Sequence, residues 1–257
     1  MPSNSVLISS ETSPALSASK PVLIVLILLV FSFIPLNIYA QSLMGTTGLF
    51  NIPAAELMPD KTVMIGFNQI PKEYSPYGNF QYNNMVYYAT VTFLPRVELM
   101  FRYTYRLGAG VRRSDTNFFM DRMVAARFLL LRENEYRPSL LIGFHDPGKS
   151  INLAANNTFS ANYVSLSKNL EFYFLNTGLH LGYAFDIPGQ KTLTHRGAFG
   201  GITLAHCTVP AVQLIFEYDS AHINQAVKVL LFNRIQLMGG LINFDRPSGG
   251  VSYRVQL

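Results

Sequence analysis

The sequence predicts an all-β protein, an antiparallel up-and-down transmembrane β-barrel of about twelve strands preceded by an N-terminal signal segment. Three observations favour this fold. Long segments alternate between apolar and polar residues, as expected of strands with two different faces. The links between these segments alternate between long and short, and tyrosines concentrate near the segment ends. Membrane barrels combine such features, because lipid-facing residues alternate with lumen-facing ones and aromatic residues collect at the interfaces.

The clearest alternating segment runs from residue 97 to residue 106. Its apolar face carries Val97, Leu99, Phe101, Tyr103 and Tyr105. Its polar face carries Glu98, Met100, Arg102, Thr104 and Arg106. A helix would need apolar spacings of three and four, which this segment lacks. Because about ten residues suffice for a tilted strand to cross a bilayer, we expect the apolar face to meet lipid and the polar face to line a lumen.

Composition supports a membrane barrel and excludes several other classes. Charged residues make up only 14% of the chain, against about a quarter in ordinary soluble domains. The net charge of +5 is mild, and the basic residues are dispersed, so we predict no nucleic-acid partner. The single cysteine, Cys207, permits no intramolecular disulfide and belongs to no zinc-type Cys/His cluster. We therefore predict no metal and no cofactor.

Residues 1–40 have the pattern of a signal peptide. Lys20 provides the positive flank, residues 21–36 the apolar run, and residues 38–40 the cleavage site. An uncleaved N-terminal anchor is the alternative. Either reading sends the remaining chain out of the cytoplasm, and together with the barrel pattern it predicts the bacterial outer membrane.

Residues 41–61 form a Gly/Pro-containing lead-in before the first strand. The residues that interrupt regular structure are Gly45, Gly48, Pro53 and Pro59. Pro53 is placed to open one helical turn and Pro59 to end it. A phosphate-binding loop is excluded, because no strand precedes the glycines and no Gly-Lys-Ser/Thr follows them. Since the segment is apolar yet irregular, we predict that it plugs the periplasmic mouth or the lumen.

Residues 62–257 are predicted to form the barrel domain. The alternating segments are 62–70, 84–94, 97–106, 118–131, 139–146, 162–168, 171–185, 198–206, 212–219, 224–231, 234–243 and 249–257. The long links lie near 71–83, 107–117, 147–159 and 187–197, and the short links near 95–96, 132–138, 169–170 and 207–211. Residues 221–232 also fit a helix. The alternation of link lengths favours a membrane barrel over a Greek-key sandwich.

The chain resembles the YjbH-like family of exopolysaccharide-associated outer-membrane proteins. The most specific block is Gly45-Thr46-Thr47-Gly48-Leu49-Phe50-Asn51-Ile52-Pro53-Ala54-Ala55, followed by Met58-Pro59-Asp60. Shorter blocks are residues 97–104, 143–148, 216–219 and 249–253. The resemblance covers most of the chain from Gly45 onward. It implies an outer-membrane barrel linked to secretion or modification of extracellular polysaccharide, and it supplies no catalytic residues.

The predicted lumen residues are Glu98, Arg102, Arg106, Asp121 and Arg127. Arg122 shares this prediction. In an open lumen, these groups would hydrogen-bond sugar hydroxyls or acidic sugar groups. In a filled lumen, they would form a salt-bridged interior, since small barrels fill their centre with side chains.

The sequence leaves three functions open. The first is a non-enzymatic outer-membrane barrel that assists export or surface assembly of exopolysaccharide, with lipid, the polymer and other export proteins as partners. The second is a structural or adhesin-like barrel. The third is a soluble periplasmic β-sandwich enzyme that acts on polysaccharide through Glu217 and Asp219, which are two positions apart. His145 and Asp146 fit a turn before Pro147 better than a catalytic pair.

Overall fold

The computed structural model describes residues 41–74, 83–106, 120–147 and 159–257. The signal segment predicted at 1–40 lies outside the described residues, as does all or most of each predicted loop at 71–83, 107–117 and 147–159. Across the described ranges, no helix combines the length and the apolar character needed to cross a membrane.

Twelve antiparallel strands form one closed barrel, which confirms the predicted fold class. In chain order they are β1 Thr62–Ile70, β2 Asn84–Phe93, β3 Val97–Arg106, β4 Met120–Leu131, β5 Ser139–His145, β6 Ala161–Phe172, β7 Leu175–Phe185, β8 Gly197–His206, β9 Val212–Tyr218, β10 Ile223–Leu231, β11 Ile235–Ile242 and β12 Arg246–Gln256. A single 3₁₀ turn, Lys72–Tyr74, follows β1. Each strand pairs with its neighbours in sequence, and β1 pairs with β12, Thr62 opposite Gln256. Closure therefore leaves no free sheet edge.

The two ends of the barrel differ. At the end called here the turn end, the chain reverses through residues 94–96, 132–138, 173–174, 207–211 and 232–234. The first residue of β1 and the last of β12 also lie there, where the Leu257 N–H donates to the Lys61 carbonyl at 2.7 Å. At the opposite, loop end, the links after β1, β3, β5 and β7 are long, whereas 219–222 and 243–245 are short.

The wall is apolar outside, whereas its inner face carries buried polar and charged side chains beside apolar ones. On β3, Phe101 is 50% exposed whereas its neighbour Arg102 is fully buried. The same contrast separates Leu181, 65% exposed, from His180 on β7. Further exposed outer-face residues include Ile65, Phe128, Ile202, Leu214, Phe216, Val227, Leu237 and Tyr253. This arrangement reverses that of a soluble protein.

Three sequence-based details are wrong. The turn expected at 169–170 lies within the sheet, where Asn169 pairs with Gly178, and the chain reverses at 173–174 instead. The Asn169 side chain donates to Glu133 of the adjacent link and to Glu56, which precedes β1. The alternative helix at 221–232 is replaced by β10, and Pro53 opens no helical turn.

The tyrosines do not all form an outer belt. Tyr87 and Tyr103 lie on the outer face, but Tyr88 and Tyr163 point inward and are buried. Arg122 is exposed on the outer face of β4, so the prediction that it lines the lumen is wrong. Both differences have one cause: charge and aromaticity alone do not reveal the face of a strand on which a residue lies, whereas strand parity does.

Candidate functional site

Residues 41–60, called here the lumen segment, lie inside the barrel. Every residue from 41 to 55 is buried. The segment folds back on itself twice, with bridges between Gln41 and Thr47 and between Gly48 and Pro53. Its apolar side chains join inward-facing wall residues in one core cluster that includes Leu43, Leu49, Phe50, Ile52, Val86, Met100 and Ile215. The segment thus supplies much of the apolar core of the barrel.

Two glycines allow this compact path. Gly45 has φ +94°, and a Cβ there would lie 2.8 Å from the ring of Tyr88. A Cβ on Gly48 would lie 2.3 Å from the Ile52 carbonyl oxygen. Of the other predicted plug residues, Pro53 is buried and pairs with Gly48, whereas Pro59 is exposed near the turn end.

Glu98 and Arg127 form an ion pair in the lumen, 2.7 Å between Oε1 and Nη1, and both side chains are fully buried. The Glu98 carboxylate also accepts the Thr47 backbone N–H at 3.1 Å and the Thr47 hydroxyl at 2.5 Å. Arg127 donates in addition to the Ala54 carbonyl. Both residues face the lumen as predicted, but they hold the lumen segment instead of lining an open passage.

Arg102 also contacts packed residues in the lumen. Its guanidinium lies 4.3 Å from the centre of the Phe159 ring, and Nη1 lies 3.0 Å from the Met44 sulfur. The side chains of the remaining predicted lumen residues, Arg106 and Asp121, lie outside the described part of the structure. Of the two predicted alternatives, an open lumen and a filled, salt-bridged one, the filled lumen therefore describes the surroundings of Glu98, Arg102 and Arg127.

Glu217 and Lys228 hold the turn at residues 48–52 of the lumen segment. The buried Glu217 carboxylate accepts the backbone N–H groups of Phe50, Asn51 and Ile52 at 3.0, 2.7 and 3.3 Å. The buried Lys228 ammonium donates to the carbonyls of Gly48 and Leu49, both at 2.7 Å. Lys228 is not among the residues predicted from the sequence, although strand alternation places it on the same face as Asn224 and Ala226.

Asp219 extends this network at the end of β9. Its carboxylate accepts the side-chain amides of Asn51 at 2.8 Å and Asn224 at 3.0 Å. Burial raises the pKa of Asp219, but the Asn224 hydrogen bond and the nearby His195 outweigh burial and leave that pKa below its ordinary value. Glu217 and Asp219 thus anchor the lumen segment, and the closed barrel replaces the β-sandwich that the enzyme hypothesis assumed.

His145 and Asp146 lie at the end of β5. The His145 ring is buried, with Nε2 3.3 Å from the Tyr163 hydroxyl. Asp146 has φ +54° and begins the link to β6. This geometry fits the turn interpretation.

A cavity of about 610 Å³ opens at the turn end, between the lumen segment and the wall. We call it the vestibule. Its lining includes Glu56, Glu133, Asn169, Glu171, His180 and Gln213. Its volume is in the ordinary range of ligand pockets. The vestibule was not predictable from the sequence, because its position depends on where the lumen segment stops filling the barrel.

Within the described ranges, no three His, Cys, Asp or Glu side chains converge as they would around a metal ion.

A family model with the description "YjbH: Exopolysaccharide biosynthesis protein YbjH" matches residues 40–236. No curated protein matches the chain significantly.

Proposed function

Because the chain belongs to the YjbH exopolysaccharide biosynthesis family, we propose that it is a non-enzymatic outer-membrane barrel that assists export or surface assembly of exopolysaccharide. The observation that carries the membrane placement is the reversed polarity of the wall, with exposed Phe101 and Leu181 outside and buried Arg102 and Lys228 inside. A closed barrel satisfies its backbone groups without water, which lipid requires of a spanning structure.

The barrel has a preferred orientation in this proposal. Short periplasmic turns and longer outer loops are typical of outer-membrane barrels. The turn end, where Lys61 and Leu257 meet, therefore faces the periplasm, and the long links face outward. Lipid contacts the outer wall, polymer reaches the vestibule from the periplasm, and other export proteins are the remaining expected partners.

The lumen segment acts as a plug in this function. It fills the described lumen and is held by Glu98, Arg127, Glu217 and Lys228. Passage of a polymer through the lumen requires this segment to move. Assembly of polymer at the periplasmic mouth does not require this movement. The many hydrogen bonds between the segment and the wall also suit a second function, that of a structural or adhesin-like barrel with a permanently filled lumen.

Envelope fractionation and gel mobility test the membrane placement. We expect the protein in the outer-membrane fraction, and we expect the folded protein in detergent to migrate differently before and after boiling. A mature chain that is soluble and monomeric without detergent would contradict the proposal. The Phe101→Arg variant, which places a charge on the outer wall, is expected to reduce the folded fraction in detergent.

Gene deletion tests the role in polysaccharide handling. In a strain that makes exopolysaccharide, loss of the protein is expected to lower surface polymer and leave polymer precursors inside the cell, and wild-type protein restores the surface polymer. Unchanged surface polymer in the deletion strain, with reduced cell attachment, would favour the structural or adhesin-like barrel instead.

A further inference from the structure

We propose that the vestibule binds a segment of polysaccharide and prefers amino sugars that carry a free ammonium group over neutral sugars, and neutral sugars over uronic acids. This inference deepens the proposed function and rests on it. It specifies the chemical class of the polymer, which the family description leaves open.

The charge of the vestibule gives the direction of this preference. Four carboxylates line it, those of Glu56, Asp60, Glu133 and Glu171, against a single guanidinium, that of Arg132. Lys168 compensates Glu133, since its ammonium lies 3.4 Å from that carboxylate. Counting Lys168 with the lining residues, four negative and two positive charges leave a formal charge of −2. A polyuronate would meet repulsion here, whereas an ammonium-bearing sugar would meet attraction.

The basic residues of the lumen do not reverse this charge. Arg127 is fully buried and paired with Glu98, and Lys228 is fully buried and donates to backbone carbonyls of the lumen segment. The lumen segment separates both residues from solvent at the turn end. The predicted lumen residues Glu98, Arg102 and Arg127 do not line the vestibule.

The arrangement of the polar groups favours an extended ligand with many hydroxyls over a single ion. In the described residues, the carboxylates do not gather into a group of three that would bind a metal. Neutral hydrogen-bonding side chains also line the cavity, including Asn169, Asn176 and Gln213. A sugar chain has donors and acceptors at this spread of positions, and carboxylates and amides are suitable partners for its hydroxyls.

Accessible groups remain for such a ligand. Glu171 is exposed, and no hydrogen bond or ion pair of its side chain is present among the described contacts. Among the described residues, the lining has no phenylalanine, tyrosine or tryptophan ring on which a sugar could stack. We therefore expect binding that depends on hydrogen bonds and charge, with dissociation constants of about 1 mM.

Fluorescence titration tests the preference directly. The sequence contains no tryptophan, so Leu129→Trp places one indole in the vestibule wall, because Leu129 lines the cavity and packs against the core cluster. The probes are a glucosamine tetramer, its fully N-acetylated form and tetragalacturonate, added to the full-length protein in detergent micelles. Saturation-transfer NMR on the unsubstituted protein repeats the ranking without the reporter. We expect the glucosamine tetramer to bind tightest, and added salt to weaken its binding.

Charge removal identifies the site. Glu171→Gln is expected to weaken glucosamine-tetramer binding about 2- to 5-fold, as for loss of one exposed charge partner. Glu135→Gln is the matched control, because Glu135 is exposed on the 132–138 link but does not line the vestibule. Glu56→Gln provides a second test within the cavity. Unchanged affinity in both vestibule variants would overturn the proposal, as would equal or tighter binding of tetragalacturonate.

Failure of this inference differs from failure of the proposed function. If no probe binds while gene deletion still lowers surface polymer, the vestibule preference is wrong and the proposed function stands. If the probes bind in the expected order while deletion leaves surface polymer unchanged, the vestibule binds sugar but the role in export or assembly is wrong.

Discussion

Glu217 on β9 and Lys228 on β10 hold the same backbone turn through opposite groups. The carboxylate accepts N–H groups of residues 50–52, and the ammonium donates to the carbonyls of Gly48 and Leu49. Neither residue depends on a side chain of the turn for these bonds. The wall therefore binds the backbone of the lumen segment. The turn can adopt this conformation because Gly48 has no Cβ to contact the Ile52 carbonyl oxygen.

Glu217→Ala should loosen this turn. The substitution leaves three buried N–H groups without their acceptor, at a cost of about 1–3 kcal/mol for each unsatisfied group. We expect hydrogen exchange at Phe50, Asn51 and Ile52 to accelerate at least about tenfold, while exchange in β3 stays unchanged. Glu171→Ala, at an exposed site, is the control. Unchanged exchange at those amides would mean that the carboxylate does not hold the turn.

Arg127→Met should destabilise the protein strongly, because it leaves the Glu98 carboxylate buried without its cation. Breaking one side of a buried ion pair costs about 3–5 kcal/mol. The double variant Glu98→Gln, Arg127→Met removes both charges and should cost less than the sum of the single variants. The free energy of unfolding, measured with urea in lipid vesicles, checks this expectation, and strict additivity would argue against direct coupling.

Gly48→Ala should disturb the lumen segment, since the added Cβ would lie 2.3 Å from the Ile52 carbonyl oxygen. Overpacking of this kind costs about 1–3 kcal/mol. Gly239→Ala is the matched control on β11, where a Cβ would have no neighbour within 4 Å. The midpoint of the heat-induced mobility shift on gels should fall for Gly48→Ala and stay close to wild type for Gly239→Ala. Equal midpoints would contradict tight packing at the turn.

Phe101→Arg tests which solvent meets the outer wall. Phe101 lies near the middle of β3 and is half exposed. An arginine near the bilayer midplane costs a barrel about 2–4 kcal/mol, whereas near an interface the cost falls to about 0–1 kcal/mol. Tyr173→Arg, in the fully exposed 173–174 turn, should therefore be nearly neutral. If Phe101→Arg were also neutral in folding into lipid vesicles, the wall would not face lipid.

The sequence was sufficient to predict the wall but only part of its contents. Period-two alternation located the β3 residues Glu98 and Arg102 on the inner face, because parity alone decides the face of a strand. It also failed where a polar cluster occurred inside a strand, as at Asn169. The contacts that hold the lumen segment were not predictable, since Lys228 binds backbone carbonyls and a backbone acceptor has no sequence signature.

The vestibule depends on a still longer-range property. Glu56 and Glu171 line the same cavity although they belong to different parts of the chain. Their proximity follows from the closed register of all twelve strands, together with the point at which residues 56–60 leave the lumen. Local propensities do not contain that information.

Contacts between the lumen segment and the late strands β9 and β11 constrain the order of folding. The lumen segment directly precedes β1, yet Gln41 bonds to Gln236, 195 positions later, and Asn51 bonds to Glu217, 166 positions later. These wall residues come together only when the late strands are in place, and contacts of such separation form slowly. The first described residues of the chain are therefore among the last to reach their native partners, and filling of the lumen becomes a late step that follows assembly of the wall.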